Sequence, residues 1–181
     1  MERFVPAVPV EPWTGVFQAD GYGPSSYQGT LFGEKGKNGE DNSNSCQNLN
    51  LWTPAPDGKK RPVMVWLYGV GFSTGSANLP EYNGARLAAS QNVVVVGVNH
   101  RLNAFGFLNL SGFGKKYEQS ANVGMLDIVM ALQWIRENIA CFGGDPDNVT
   151  LFGQSGSGCK GLVLMASPAA RGLFHSQRTV S

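Results

Sequence analysis

The chain has 181 residues, which is long enough for one domain with a sizeable hydrophobic core. Its formal net charge is only +1 and the charged residues are interspersed, which argues against a nucleic-acid partner. A hydrophobic content of 42% excludes an intrinsically disordered chain.

Three features of the sequence bear on cellular location: its apolar runs, its N-terminus and its cysteines. The longest apolar runs, VMVWLYGV and VVVVGV, are too short to span a bilayer. The N-terminal stretch MERFVPAVPVEPW carries acidic residues and three prolines where a signal peptide would need an apolar core. The three cysteines have no metal-ligand spacing, and free thiols in a reducing compartment are the simplest interpretation. We therefore expect no membrane span and favour a cytoplasmic location.

The first part of the chain predicts irregular arms followed by strands. Residues 1–45 are rich in Pro, Gly, Asn and Ser, which is typical of turns. A short strand is expected at Leu49–Trp52. The runs VMVWLY and NVVVVGVN are continuous, apolar and bounded by turn signals, as strands buried on both faces are. A short helix is expected between them, near residues 83–90.

The second part of the chain alternates helix and strand. A long helix is predicted in the run NVGMLDIVMALQWIRENIACFG, because apolar residues recur there at helical spacing. NVTLF is the third buried strand, and the residues after Ser155 are predicted to be helical. This order predicts an α/β fold with a parallel sheet covered by helices on both faces, in which VMVWLY is the middle one of the three buried strands.

The stretch NVTLFGQSGSGCK places Ser155 between a strand and a helix, as in the nucleophile elbow of serine hydrolases. The usual Gly-x-Ser-x-Gly pattern is interrupted at Ser157. Serine is small, so we expect a strained elbow rather than none. The alternative interpretation is an ordinary turn serine.

Serine catalysis also needs backbone N–H groups directed at an oxyanion. The elbow supplies the N–H of the residue after the serine, which is Gly156. A second glycine loop, YGVGF, directly follows the strand VMVWLY. Its glycines can adopt the φ > 0 conformations that turn N–H groups toward a ligand. Two such loops, each after a buried strand, indicate an oxyanion hole.

The chain resembles the type-B carboxylesterases, the cholinesterase-like branch of the α/β-hydrolases, and within them a microbial subgroup. The matching stretches include CQNLNLWTP, RPVMVWLYGVGFSTGS and ANVGMLDIVMALQWIRENIACFGGDPDNVTLFGQSG. The resemblance implies that residues 1–181 form a partial α/β-hydrolase domain, truncated at both ends relative to the family. It also implies a serine esterase that acts on small-molecule esters through an acyl-serine intermediate, without cofactor or metal.

The resemblance assigns roles to individual residues. Ser155 would be the nucleophile, and the N–H groups of Val70, Gly71 and Gly156 would form the oxyanion hole. Arg101 and Asp127 match a buried structural ion pair of the family. Val70 is a departure, since the family has a glycine there and a β-branched residue resists φ > 0.

Ser155 needs a histidine base and a carboxylate to orient it. The residues after Ser155 include one histidine, His175, and no Asp or Glu. His175 is expected on the surface of an amphipathic helix, His100 is expected to be structural, and Cys159 is expected to be a small packing residue. The resemblance places the acid and the base of the triad beyond this chain, so we expect the 181 residues alone to be nearly inert.

Two alternatives to an active esterase remain open at this point. The first is a non-catalytic, cholinesterase-like binding or adhesion protein, since such relatives keep the fold and lose the triad. The second is an inactive gene fragment. A Glu and a His encoded downstream of residue 181 would favour the enzyme.

Overall fold

The computed structural model describes residues 2–29 and 42–180, and five strands form one sheet within them. The strands lie in the spatial order β1-β3-β2-β4-β5. Strand β1 is antiparallel to β3, and the other neighbouring pairs are parallel. Their bounds are β1 Leu49–Trp52, β2 Arg61–Leu67, β3 Val94–Val98, β4 Gly144–Gln154 and β5 Ser176–Val180.

The three apolar runs are adjacent central strands, as predicted. Strand β2 lies between β3 and β4, so that Val65 is opposite both Val96 and Leu151. All three side chains are fully buried, because helices cover the sheet on both faces. The predicted α/β architecture is confirmed.

Helices α1 (Ala85–Gln91) and α3 (Val123–Asn138) cover opposite faces of the sheet. The apolar positions of α3 face the sheet, and Ile128, Leu132 and Ile135 are completely buried there. The predicted helix ends in a short 3-10 turn capped by Gly143 at φ 78°. Two further helices, α2 (Asn103–Phe107) and α4 (Gly156–Ala166), complete the set of α-helices in the described part of the chain. None of the helices in these residues is long and apolar enough to cross a membrane.

The chain after α4 differs from the prediction. A 3-10 turn at Pro168–Ala170 leads into β5, which pairs in parallel with β4 instead of forming a second helix. The reason is tertiary, since β4 offers an unpaired edge and α4 presents glycines toward it. A Cβ on Gly158 would lie 2.9 Å from the Thr179 side chain, so β5 can approach only because these helix positions carry none.

Candidate active site

Ser155 occupies the turn between β4 and α4 in a backbone conformation that is rare for a residue with a side chain. Its φ is 54° and its ψ is −116°, and it is exposed to solvent. The chain reverses direction within this one residue, from the last residue of β4 to the first of α4. Strained backbone of this kind is concentrated at functional sites, and here it lies at the carboxyl end of a central parallel strand.

The elbow forms although Ser157 replaces the usual glycine. Gly153 and Ser157 are so close that a Cβ on Gly153 would lie 2.5 Å from the Cβ of Ser157. Ser157 is buried, and its hydroxyl has no hydrogen-bond partner among the described residues. The turn is therefore kept at the cost of a crowded contact and a buried hydroxyl without a partner.

The loop after β2 has two consecutive residues in the left-handed region, Val70 at φ 59° and Gly71 at φ 64°. This conformation is unstrained for glycine and unfavourable for valine, whose β-branch crowds the backbone. Among the residues that the structure describes, neither N–H group has a hydrogen-bond acceptor. Two donors next to each other are thus free to bind an anionic oxygen.

The two glycine loops are in direct contact. A Cβ on Gly156 would lie 2.6 Å from the backbone nitrogen of Gly71, and a Cβ on Gly69 would lie 2.5 Å from the carbonyl oxygen of Gln154. Gly156 is the first residue of α4, so its N–H has no acceptor within the helix. The loop that carries Val70 and Gly71 therefore lies against the first residue of α4, next to Ser155 and at the positive end of a helix dipole.

A buried lysine lies directly behind the YGVGF loop. The side chain of Lys160 on α4 has no exposed surface, and its Nζ donates a 2.8 Å hydrogen bond to the carbonyl oxygen of Tyr68. Burial lowers the pKa of Lys160 to about 7. The sequence reasoning missed this residue, but a signal exists: Ser157, Lys160 and Leu164 are spaced three and four apart along one buried helix face.

His100 is buried beside the same tyrosine. Its ring stacks on that of Tyr68, with centroids 5.0 Å apart, and its Nδ1 lies 2.9 Å from the carbonyl oxygen of Arg101. Burial, reinforced by the nearby charge of Lys160, lowers the pKa of His100 to about 3. Burial also raises the pKa of Tyr68 well above its usual range. A neutral, enclosed histidine has no access to the Ser155 hydroxyl.

His175 lies beside the middle of β4, not on the predicted helix. Its backbone N–H donates to the carbonyl oxygen of Val149, and its Nδ1 accepts from the N–H of Val149. Val149 precedes Ser155 by six residues, and at a strand rise of about 3.3 Å per residue this places the two about 20 Å apart. Ser155 and His175 both line one open groove along α4 and β5, but the structure does not bring these two side chains together.

Arg101 and Asp127 form a buried, two-pronged ion pair. Nε and Nη2 of Arg101 lie 2.8 and 2.7 Å from the two carboxylate oxygens, and the backbone N–H of Arg101 donates to the same carboxylate. The remaining guanidinium nitrogen donates to the carbonyl oxygen of Val5. The pair joins the loop after β3 to α3 and to the N-terminal arm.

The three cysteines are free thiols, and only Cys46 is buried. Cys159, which was expected to be a small packing residue, is exposed, because α4 turns Ser157, Lys160 and Leu164 inward and leaves Cys159 on its open side. Within residues 2–29 and 42–180, no cluster of His, Cys, Asp and Glu side chains could hold a metal ion.

Comparisons with known proteins agree with this geometry. A model of the carboxylesterase family matches residues 1–181. The para-nitrobenzyl esterase of Bacillus subtilis (strain 168) is 45% identical over 177 residues, which cover 95% of this chain and 35% of that protein. The acetylcholinesterase of Bungarus fasciatus is 41% identical over 179 residues, which cover 29% of that protein.

Solved structures show the same likeness. A crystal structure of a Geobacillus stearothermophilus carboxylesterase matches with a TM-score of 0.91 at 45% identity, covering 98% of this chain and 36% of that one. An esterase from Clostridium hathewayi that can hydrolyse aliphatic aromatic polyesters matches with a TM-score of 0.92 and 37% of its own length covered. The predicted α/β-hydrolase fold is confirmed, and the chain spans about a third of the length of these relatives.

Proposed function

Because the chain belongs to the carboxylesterase family, we propose that Ser155 is the nucleophile of a serine carboxylic ester hydrolase. The observation that carries the proposal is the contact between the two glycine loops, Gly156 against Gly71, beside a serine in strained elbow backbone. This contact supports the proposal because it brings Ser155 and the loop of Val70 and Gly71 together at the carboxyl edge of the sheet. This is the arrangement that acyl transfer requires.

The proposed reaction has two halves. Ser155 Oγ attacks the ester carbonyl carbon while a base takes its proton, and the carbonyl oxygen becomes an oxyanion held by the N–H groups of Val70, Gly71 and Gly156. The tetrahedral intermediate then expels the alcohol, which leaves with the proton from the base, and an acyl-serine remains. Water attacks this acyl group in the same manner, which releases the carboxylic acid and restores the serine hydroxyl.

We assign the base and its orienting carboxylate to residues outside these 181. The chain has two histidines, and neither is suited to the role. His100 is enclosed and kept neutral, and His175 is held at Val149, six residues before Ser155 along β4. The substrate class is a small-molecule carboxylic ester, and the Val70 side chain narrows the space beside the oxyanion donors.

The proposal is tested on the protein expressed from its complete gene. We expect hydrolysis of p-nitrophenyl acetate, and Ser155→Ala should lower kcat by about 10⁴–10⁶-fold because the covalent route is lost. Ser111→Ala is the matched control, since Ser111 is an exposed serine whose side chain, among the described residues, bonds only to Asn109. A fluorophosphonate probe should label the tryptic peptide that carries Ser155. Labelling of a different residue, or turnover that survives Ser155→Ala, would contradict the assignment.

A further inference from the structure

Lys160 contacts both ends of the YGVGF loop that supplies two of the proposed oxyanion donors. Its Nζ lies 2.8 Å from the carbonyl oxygen of Tyr68, immediately before the glycines. The same nitrogen lies 4.4 Å from the centroid of the Tyr68 ring and 5.7 Å from that of Phe72, immediately after them. One side chain from the elbow helix therefore spans the loop from behind.

The orientation of the Tyr68 carbonyl sets the starting geometry of the loop that follows. This carbonyl belongs to the same planar peptide unit as the N–H of Gly69, so holding the oxygen fixes the rotation of that unit. The next two residues, Val70 and Gly71, are in the left-handed region, which a valine does not adopt unless its surroundings enforce it. A fixed starting point for these two residues determines where their N–H groups point.

Packing alone does not explain a lysine at this position. An apolar side chain of the same length would fill the space without the desolvation that burial of an ammonium group brings. Among the described residues, no carboxylate pairs with Lys160, and the titratable groups that face it are Tyr68 and His100, both neutral. The hydrogen bond to the Tyr68 carbonyl is the specific contact that an apolar residue could not make.

We propose that Lys160 is a positioning residue of the oxyanion hole, which holds the Tyr68 carbonyl and thereby sets the direction of the Val70 and Gly71 N–H groups. The inference rests on the proposed function, because it concerns the same site. Lys160 acts through the backbone of the loop and does not contact the reacting atoms.

The test compares Lys160→Met, which matches the side chain in length but cannot donate, with Lys160→Gln, which can. In the protein from its complete gene, Lys160→Met should lower kcat for p-nitrophenyl acetate by about tenfold or more while KM changes less than about twofold, since misdirected donors weaken transition-state binding above all. Lys160→Gln should recover several-fold of this loss. Amide hydrogen exchange at residues 69–72 should accelerate in Lys160→Met and return toward wild type in Lys160→Gln.

Leu164→Ala is the control, because Leu164 is buried on the same helix and contacts the core rather than the loop. It should lower stability and leave kcat of the folded enzyme and exchange at residues 69–72 unchanged. An unchanged kcat in Lys160→Met, or equal losses in the Met and Gln variants, would overturn the inference. If the wild-type protein hydrolyses no ester, or if Ser155→Ala is fully active, the proposed function fails instead. Hydrogen exchange still decides whether Lys160 fixes the loop.

Discussion

Two of the buried basic side chains, Arg101 and Lys160, lie in contrasting surroundings. In the ion-pair region around Arg101, the guanidinium is satisfied by both oxygens of Asp127 and by the Val5 carbonyl. At the site edge, which comprises residues 67–72 and 153–160, Lys160 donates to one carbonyl and faces two aromatic rings.

The site edge has further costly features besides its lysine. It also contains two residues with side chains at positive φ, Val70 and Ser155, and the buried Ser157 hydroxyl without a described partner. These strained and unpartnered groups lie where the chemistry is proposed, whereas the Arg101 guanidinium and the Asp127 carboxylate satisfy each other. Changes in the ion-pair region should therefore destabilise, and changes at the site edge should mostly stabilise.

The largest expected effect concerns the site edge and is the loss of ester hydrolysis when the 181-residue chain is purified alone. The 181-residue chain, purified alone, should hydrolyse p-nitrophenyl acetate about 10⁴–10⁶-fold more slowly than the protein from its complete gene, because no histidine of the chain reaches Ser155. Initial rates at matched concentrations measure the difference. Robust turnover by the 181-residue chain that disappears in Ser155→Ala would show that a base is present within it.

In the ion-pair region, Asp127→Asn should lower the free energy of unfolding by about 3 kcal/mol, because it leaves the Arg101 guanidinium buried without a counter-charge. Urea denaturation followed by circular dichroism measures the loss. Asp147→Asn is the control, since Asp147 is exposed and should change stability by less than about 0.5 kcal/mol. A loss no larger than that of the control would remove the contrast between the two regions.

At the site edge, the stability of Lys160→Met relative to wild type should depend on pH. Burial lowers the pKa of Lys160 from 10.5 to about 7, so the folded state binds its proton less readily than the unfolded state. The resulting penalty is complete below pH 7 and fades as the pH rises toward 10.

Lys160→Met should consequently be the more stable protein at pH 6, by about 2 kcal/mol, and lose most of that advantage by pH 9. Urea titrations at both pH values provide the measurement. Lys115→Met, at an exposed lysine, should show no such pH-dependent difference. A difference between Lys160→Met and wild type that stays constant from pH 6 to pH 9 would contradict the lowered pKa.

The smallest expected effect is at Val70. Val70→Gly should raise the free energy of unfolding by about 1 kcal/mol, since relief of the left-handed strain exceeds the added entropy of glycine in the unfolded chain. It should also raise kcat/KM for p-nitrophenyl butyrate relative to acetate, because the branched side chain no longer narrows the site. Val70→Ala keeps a Cβ and should give less of both effects. A destabilised glycine variant would mean that the valine side chain packs favourably where the backbone is strained.

The sequence by itself determined the centre of this molecule. Three continuous apolar runs specify β2, β3 and β4 because strands buried on both faces need such residues throughout, and the helical spacing of Ile128, Leu132 and Ile135 specifies α3. The elbow around Ser155 was also predictable, since a glycine-flanked serine between strand and helix is a local pattern. The roles of its residues remain proposals.

Only the tertiary structure decided the rest. Residues 176–180 have no apolar periodicity, and they form β5 because the edge of β4 supplies the hydrogen bonds and glycines of α4 leave room. That pairing places His175 beside Val149, six residues before Ser155 along β4. The burial of Lys160 beneath the Tyr68 carbonyl likewise depends on how α4 packs against the loop after β2. The surroundings of a lysine are set by residues distant in sequence and not by its own pattern.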